Sequence, residues 1–236
     1  MSELKAYVIN LKSRTDRWAS VEAQRSLLGI PIQQVEAIDQ NTVDVSELNM
    51  AAKGVAATWL SHRKAANEFL NSEADFALIL EDDFSLSRIF NIPSVTLLKK
   101  LEADFVQLGY LRVTPWESFD LNISNLRDRA LRALQFLVGT NEFLQQRIGN
   151  KLLIRERIGV PTSLVPTDIR PGGHCYIVSR NMALGMQKLN NPIVFSADEL
   201  FVSISRMRAF KMFRVRKSMV SQTNSPTSVN IRFKNS

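Results

Sequence analysis

Apolar and polar positions fall into short blocks along this chain, and the period changes from block to block. Lys5 to Leu11 (KAYVINL) is a continuous apolar run of strand length. Ser13-Arg14-Thr15-Asp16 then offers several helix N-caps, Trp18, Val21, Arg25 and Leu28 recur at helical spacing, and Gly29 with Pro31 gives a stop signal. Ile32 to Ile38 predicts a second strand ending at Asp39. A helix is expected from about Ala56 to Leu70, with Leu60, Ala66, Phe69 and Leu70 facing inward. Phe76 to Leu80 and Phe105 to Gly109 read as further strands, as does His174 to Ser179, followed by a helix near Asn181–Leu189. Strands alternating with helices predict an α/β fold: a mostly parallel sheet covered on both faces.

Residues 126–158 break this rhythm. Ala130, Leu134, Leu137 and Val138 form an apolar stripe surrounded by Arg127, Arg129, Arg132, Arg147, Lys151, Arg155 and Arg157. The pattern predicts a basic helical insertion, either packed on the sheet or lying on a membrane surface. Pro161 to Gly173 reads as a long Pro/Gly-bearing loop, a candidate flap. Arg206 to Lys217 (RMRAFKMFRVRK) interleaves six basic residues with Met, Phe and Val.

Charge sharpens this division. Residues 1–125 hold 12 Lys/Arg against 17 Asp/Glu, whereas residues 126–236 hold 18 against 6. The second half therefore points to an anionic partner such as lipid headgroups, a phosphorylated acceptor or nucleic acid. At 236 residues and 45% hydrophobic, the chain can bury a sizeable core. A single cysteine, Cys175, excludes an internal disulfide framework and fits a reducing compartment. No apolar run approaches the ~20 residues needed to span a bilayer, and a first strand so close to Met1 argues against a secretory signal.

The chemistry concentrates where Phe76-Ala77-Leu78-Ile79-Leu80 runs into Glu81-Asp82-Asp83. Open α/β sheets bind ligands just beyond the carboxyl ends of their strands. Adjacent carboxylates there repel one another unless a cation or polyhydroxyl ligand joins them, and hard oxygen donors suit Mg²⁺ or Mn²⁺. A period of two puts Glu81 and Asp83 on one face and Asp82 on the other. An acidic helix N-cap after a strand also fits these residues.

Several segments together resemble glycosyltransferase family 25, whose members include lipooligosaccharide and lipopolysaccharide sugar transferases and collagen galactosyltransferase domains. They are Val8-Ile9-Asn10-Leu11 with Arg14, Asp16 and Arg17 (V-I-N-L-x-x-R-x-D-R), Leu60-Ser61-His62, Leu78 to Asp83, Gly173 to Ser179, and Ala197-Asp198-Glu199-Leu200. The resemblance covers nearly the whole chain apart from 112–165. It implies a single GT-A-like, Rossmann-type domain over 1–236, with 1–125 as the nucleotide-sugar-binding half and 126–236 as the basic acceptor-side half. It also implies a divalent cation at the acidic motif, UDP-galactose as donor and inversion at the anomeric centre. Gly54 to Ser61 departs from the family's G-E-x-G-C-x-x-S-H pattern by lacking the Glu, the second Gly and the Cys.

On that basis Asp83 is the expected metal ligand with Asp82 beside it, and the cofactor is Mn²⁺ or Mg²⁺. Glu81 is expected near the ribose or a metal-bound water. Asn10, Leu11, Arg14, Arg17 and Asp39 are the other donor-side candidates, although the arginines also fit a solvated helix face and Asp39 a turn cap. An inverting displacement needs a base for the acceptor hydroxyl. Asp198 is the candidate and Glu199 the alternative, in a segment that would equally make a helix N-cap. His62 is expected to contact acceptor or donor, and His174 fits a third metal ligand or a strand start. The implied function is transfer of a hexose to a lipopolysaccharide, lipooligosaccharide or other surface glycan. It would take place in the cytoplasm or at the inner membrane face, with a nucleotide-sugar donor, a glycan or lipid-linked acceptor, and no nucleic acid. Two other readings remain: a non-catalytic nucleotide- or glycan-binding relative, for which the altered Gly54–Ser61 segment speaks, and a metal-dependent nuclease.

Overall fold

The computed structural model describes residues 3–44, 52–111, 163–166 and 169–223. The expected basic insertion at 126–158 lies outside them. Among the described residues nine strands form one sheet: β1 (Leu4–Asn10), β2 (Ile32–Glu36), β3 (Phe76–Glu81), β4 (Phe84–Leu86), β5 (Phe105–Gly109), β6 (Leu164–Pro166), β7 (Cys175–Ser179), β8 (Met212–Val215) and β9 (Val220–Gln222). Its order is β2-β1-β3-β7-β5-β8-β6, with β9 bridging β5 and β4. Strands β2, β1, β3, β5 and β8 run one way. Strand β7, inserted between β3 and β5, and the edge strand β6 run against them. The sheet is thus mostly parallel, as the alternating pattern predicts, but β7 crosses the expected division of the chain by pairing with two strands from the first half.

The continuous apolar runs follow from burial on both faces. Tyr7, Ile9, Ala77, Ile79, Tyr176 and Val178 face one core, while Ala6, Val8, Leu78, Leu80, Cys175 and Ile177 face the other. The first core is closed by α2 (Lys53–Leu70), α4 (Arg180–Lys188) and α5 (Ala197–Arg206). The second is closed by α1 (Thr15–Leu28), through Val21 and Leu28, and by α3 (Val95–Lys100), through Leu98.

Element ends depart from the sequence pattern where local bonds decide them. Helix α1 takes Arg14 as its N-cap, with no side-chain cap bond despite the hydroxyls and carboxylate nearby, and stops at Gly29 with φ 65°. Helix α2 starts at Lys53, three residues before the expected start. In place of an open flap, the described part of 161–173 contains β6, which pairs with β8 and is anchored by Arg216 N–H to Ser163 C=O at 2.8 Å. Asp104, which no motif marks, is a buried junction. It accepts from Ser179 Oγ, Asn181 Nδ2 and the Lys211 N–H, tying β5 to the start of α4 and the approach to β8.

Candidate active site

The ends of β1, β3 and β7 and the start of α5 bring the sequence-distant carboxylates together. Strand β3 ends at Glu81, and Asp82-Asp83 form the turn into β4. The N–H of Glu81 donates to His174 C=O at 3.1 Å, so the acidic turn abuts the Gly172–His174 segment.

The three acids have different surroundings. Asp82 is buried with both oxygens engaged: Oδ2 accepts from Asn10 Nδ2 at 2.7 Å, and Oδ1 from Arg17 at 2.7 Å. Gln34 Nε2 in turn donates to Asn10 Oδ1 at 2.9 Å, giving a chain Gln34–Asn10–Asp82–Arg17 across β2, β1, β3 and α1. Asp82, expected beside Asp83 at the cation, is therefore committed to orienting Asn10 and Arg17. Asp83 has a buried Oδ1 with no hydrogen-bond partner, and its nearest cation, Arg17, is 3.9 Å from Oδ2. Burial, reinforced by Glu81 and Asp82 against the pull of Arg17, pushes the Asp83 carboxyl up to about 6. Its C=O is fixed by the Thr223 N–H at 2.7 Å.

Glu81 turns away from the Asn10–Arg17 side. Its Oε1 lies 3.4 Å from Nε2 of His62, and Gln222 Nε2 approaches Oε2 at 3.4 Å. Burial alone would raise this carboxyl, but His62, His174 and Arg17 outweigh it and hold it below its ordinary value. Its charge acts on both Asp83 and Asp198, so Glu81 couples the acidic turn to α5.

Asp198 sits in the first turn of α5, where Oδ1 accepts a hydrogen bond from the Gly173 N–H. Burial, then the charge of Glu81, raises its carboxyl. A Cβ on Gly173 would stand 2.8 Å from that oxygen, so any larger residue there would push the Asp198 carboxylate aside. Glu199, the alternative base, completes a capping box instead: Ser196 N–H and Oγ both lie 3.1 Å from its Oε2, and Ser196 Oγ accepts from the Glu199 N–H. The cap therefore belongs to Ser196 and Glu199, while Asp198 meets the Gly173 N–H.

Upstream of α5, Asn190 is missed by sequence reasoning. Its side chain accepts from the Val194 and Phe195 N–H groups and donates to Phe195 C=O, fixing the loop that delivers Ser196 and Asp198. Gln107 does the same for the glycine segment through Arg170 and Gly172. A buried amide in an otherwise apolar run is the one signal that could have revealed Gln107.

His62 is fully buried on α2, with Nδ1 2.8 Å from the Tyr176 hydroxyl and Nε2 3.4 Å from Glu81 Oε1. His174 is buried with its ring over Gly109, where a Cβ would come within 2.6 Å of Nε2. Arg14, expected on base or phosphate, is paired with Asp16 at 2.8 Å. Asp39 caps a 3₁₀ turn through the Asn41 N–H at 2.8 Å, and Leu11 C=O accepts from the Arg14 N–H. Burial pushes the Cys175 thiol up, which leaves it inert. A cavity of about 210 Å³ at the ends of β1 and β2 is lined by Asn10, Lys12, Gln34 and Glu36. Only Asn10 of these four is singled out by motif. Gln34 and Glu36 lie in a strand whose pattern says nothing about which end opens into a cleft.

The family model for glycosyltransferase family 25 (LPS biosynthesis protein) matches residues 3–201, a span that includes every acidic side chain of this site. Comparison with individual curated proteins gives no match.

Proposed function

The chain belongs to glycosyltransferase family 25, the family of LPS biosynthesis glycosyltransferases, and from that premise we propose a metal-dependent, inverting transfer of a hexose, galactose from UDP-galactose, to a glycan acceptor of the bacterial surface. The observation that carries this reading is that the acidic turn Glu81–Asp83 and Asp198, distant in sequence, meet the same Gly173–His174 segment, Glu81 through the His174 C=O and Asp198 through the Gly173 N–H.

Asp83 suits Mn²⁺ or Mg²⁺, because a buried, unpartnered carboxylate oxygen is a hard donor lacking a ligand. Among the described residues no three His, Cys, Asp or Glu side chains form a metal cluster. A cation held at Asp83 would take its remaining ligands from donor phosphates and water. When bound, the ion would neutralise charge on the departing diphosphate.

The chain's own residues supply the rest. Asn10, oriented by Gln34 and Asp82, presents the cavity between β1 and β2 to the nucleoside. Arg17, held by Asp82, adds positive charge near the diphosphate. Asp198 accepts the proton of the acceptor hydroxyl as that oxygen bonds to the anomeric carbon, and the bond from that carbon to the diphosphate oxygen breaks with its electron pair. A raised carboxyl is the better base near neutrality. Glu81, ionised and between the two, is suited to accept hydrogen bonds from sugar hydroxyls rather than to reach the ribose.

Of the three departing positions at Gly54–Ser61, which are Val55, Ala57 and Thr58, Ala57 packs into the core from α2 and Thr58 Oγ1 donates to the Gly54 C=O at 3.0 Å within the same helix. The test is incubation with UDP-galactose, Mn²⁺ and a panel of glycan acceptors. Turnover or slow donor hydrolysis is expected, with Asp83→Ala reducing it at least about a hundredfold. Undiminished activity of that variant, or after chelation of divalent ions, would remove the metal assignment. Calorimetric nucleotide binding with no turnover would favour a non-catalytic module.

A further inference from the structure

Strand β9 brings to the acidic turn a side chain that neither the motifs nor the proposed reaction uses. It lies beyond residues 3–201, the span that the family model matches. Its backbone is held from two sides. Phe84, Ser85 and Leu86 of β4 pair with Gln222, Ser221 and Val220, and Gly109 of β5 pairs with Val220. Just past the strand, the Thr223 N–H donates to Asp83 C=O at 2.7 Å. Val220 is buried in the second core, whereas Gln222 is exposed. The Gln222 carboxamide therefore extends from a fixed backbone, and its Nε2 lies 3.4 Å from Glu81 Oε2. The other oxygen of Glu81, Oε1, faces the buried His62, and the Glu81 side chain keeps 27% of its surface exposed. Oε2 and the Gln222 amide thus form the open side of this pair.

We propose that Gln222 is a specificity-determining residue for the transferred hexose: with Glu81 it reads two neighbouring ring hydroxyls of the donor sugar. The inference rests on the hexose-transfer reading and deepens it. Asp83, the expected cation ligand, is two residues from Glu81, and Thr223, next to Gln222, is bonded to its C=O. Both side chains thus stand beside the place where a cation-bound diphosphate would carry its sugar. The chemistry is complementary. A carboxylate only accepts, whereas a sugar hydroxyl both donates and accepts. A hydroxyl that donates to Glu81 is completed by the second amide hydrogen of Gln222, and Gln222 Oε1 accepts from the neighbouring hydroxyl. Moving one hydroxyl between axial and equatorial positions breaks one of these bonds and leaves its partner unpaired, so the pair rejects the epimer. Of the two residues, Gln222 is the one whose replacement leaves the acidic turn itself unchanged.

The intact protein with Mn²⁺ is compared with Gln222→Ala on UDP-galactose, UDP-glucose and UDP. The side chain is exposed, so this variant should fold as wild type does. Gln222→Glu, similar in size but without amide hydrogens, is the second variant. Wild type is expected to prefer one epimer in kcat/KM. Both variants should lower kcat/KM for that epimer about tenfold and bring the two donors within about twofold of each other. The calorimetric Kd for UDP alone should stay within about twofold of wild type, because Gln222 meets the sugar and not the nucleotide. Loss of β9 packing would instead weaken UDP and both sugars together. Without turnover, the same comparison is read from the calorimetric Kd of the two UDP-hexoses. A wild type indifferent to the epimers, an unchanged epimer ratio in the variants, or UDP binding that falls along with sugar binding would overturn the proposal and leave hexose transfer standing. Absence of both turnover and UDP-hexose binding would remove the transfer reading and the proposal with it.

Discussion

Three consecutive carboxylates meet three different fates because each looks into a different environment. Asp82 is satisfied by Asn10 and Arg17, Glu81 is held ionised beside His62, and Asp83 keeps a buried oxygen with nothing to bind. Asp83 should therefore destabilise the metal-free protein. Its folded carboxyl, at about 6 against an ordinary 3.8, holds a proton longer than the unfolded chain does. The Asp83 contribution to stability is complete below the ordinary value, falls as pH rises from about 4 to about 6, and stays low above that. The difference corresponds to at most about 3 kcal/mol. Asp83→Asn is expected to be more stable than wild type at pH 7, by about 1–3 kcal/mol, and nearly equal at pH 4, in denaturant titrations without divalent ions. A variant no more stable at pH 7 would show that Asp83 is not strained by burial.

At the scale of elements, α5 carries two acids with different partners in its first turn. The capping box belongs to Ser196 and Glu199, and the site-facing carboxylate to Asp198. Ser196→Ala should cost about 1 kcal/mol in denaturant titration. Glu199→Gln, which preserves the box, should keep turnover within about twofold, whereas Asp198→Asn should lose about 10²–10⁴ in kcat. Equal effects from the two substitutions would undo the division of roles. Sequence alone leaves this division open, because Ser196-Ala197-Asp198-Glu199 satisfies a cap signature whichever acid closes it. The glycine that receives Asp198 is distant in sequence, and nothing local marks it as a partner.

Across the whole molecule, β7 makes the site possible: it inserts antiparallel between β3 and β5 and sets Gly172–His174 beside the acidic turn. No helix among the described residues is long and apolar enough to cross a membrane. The second half's excess of 18 Lys/Arg over 6 Asp/Glu predicts contact with an anionic surface. The full chain is expected to co-sediment with vesicles containing phosphatidylglycerol but not with neutral ones, and to release as salt rises past the range where the Debye length falls below about 8 Å. Binding indifferent to lipid charge or salt would rule that contact out. The sequence by itself determined β1, β2, β3, β5 and β7, their two-faced burial and the place of the acidic turn, because hydrophobic period and the strand-to-turn switch are local properties, whereas the short β4, β6, β8 and β9 carry no such run. Tertiary structure alone decided that β7 runs backwards, that Asp82 binds Asn10 and Arg17, that His62 is buried beside Glu81, and that Asp198 meets Gly173 while Glu199 closes the cap. These depend on which distant groups come within hydrogen-bond reach and lose water together, and no spacing along one chain encodes that.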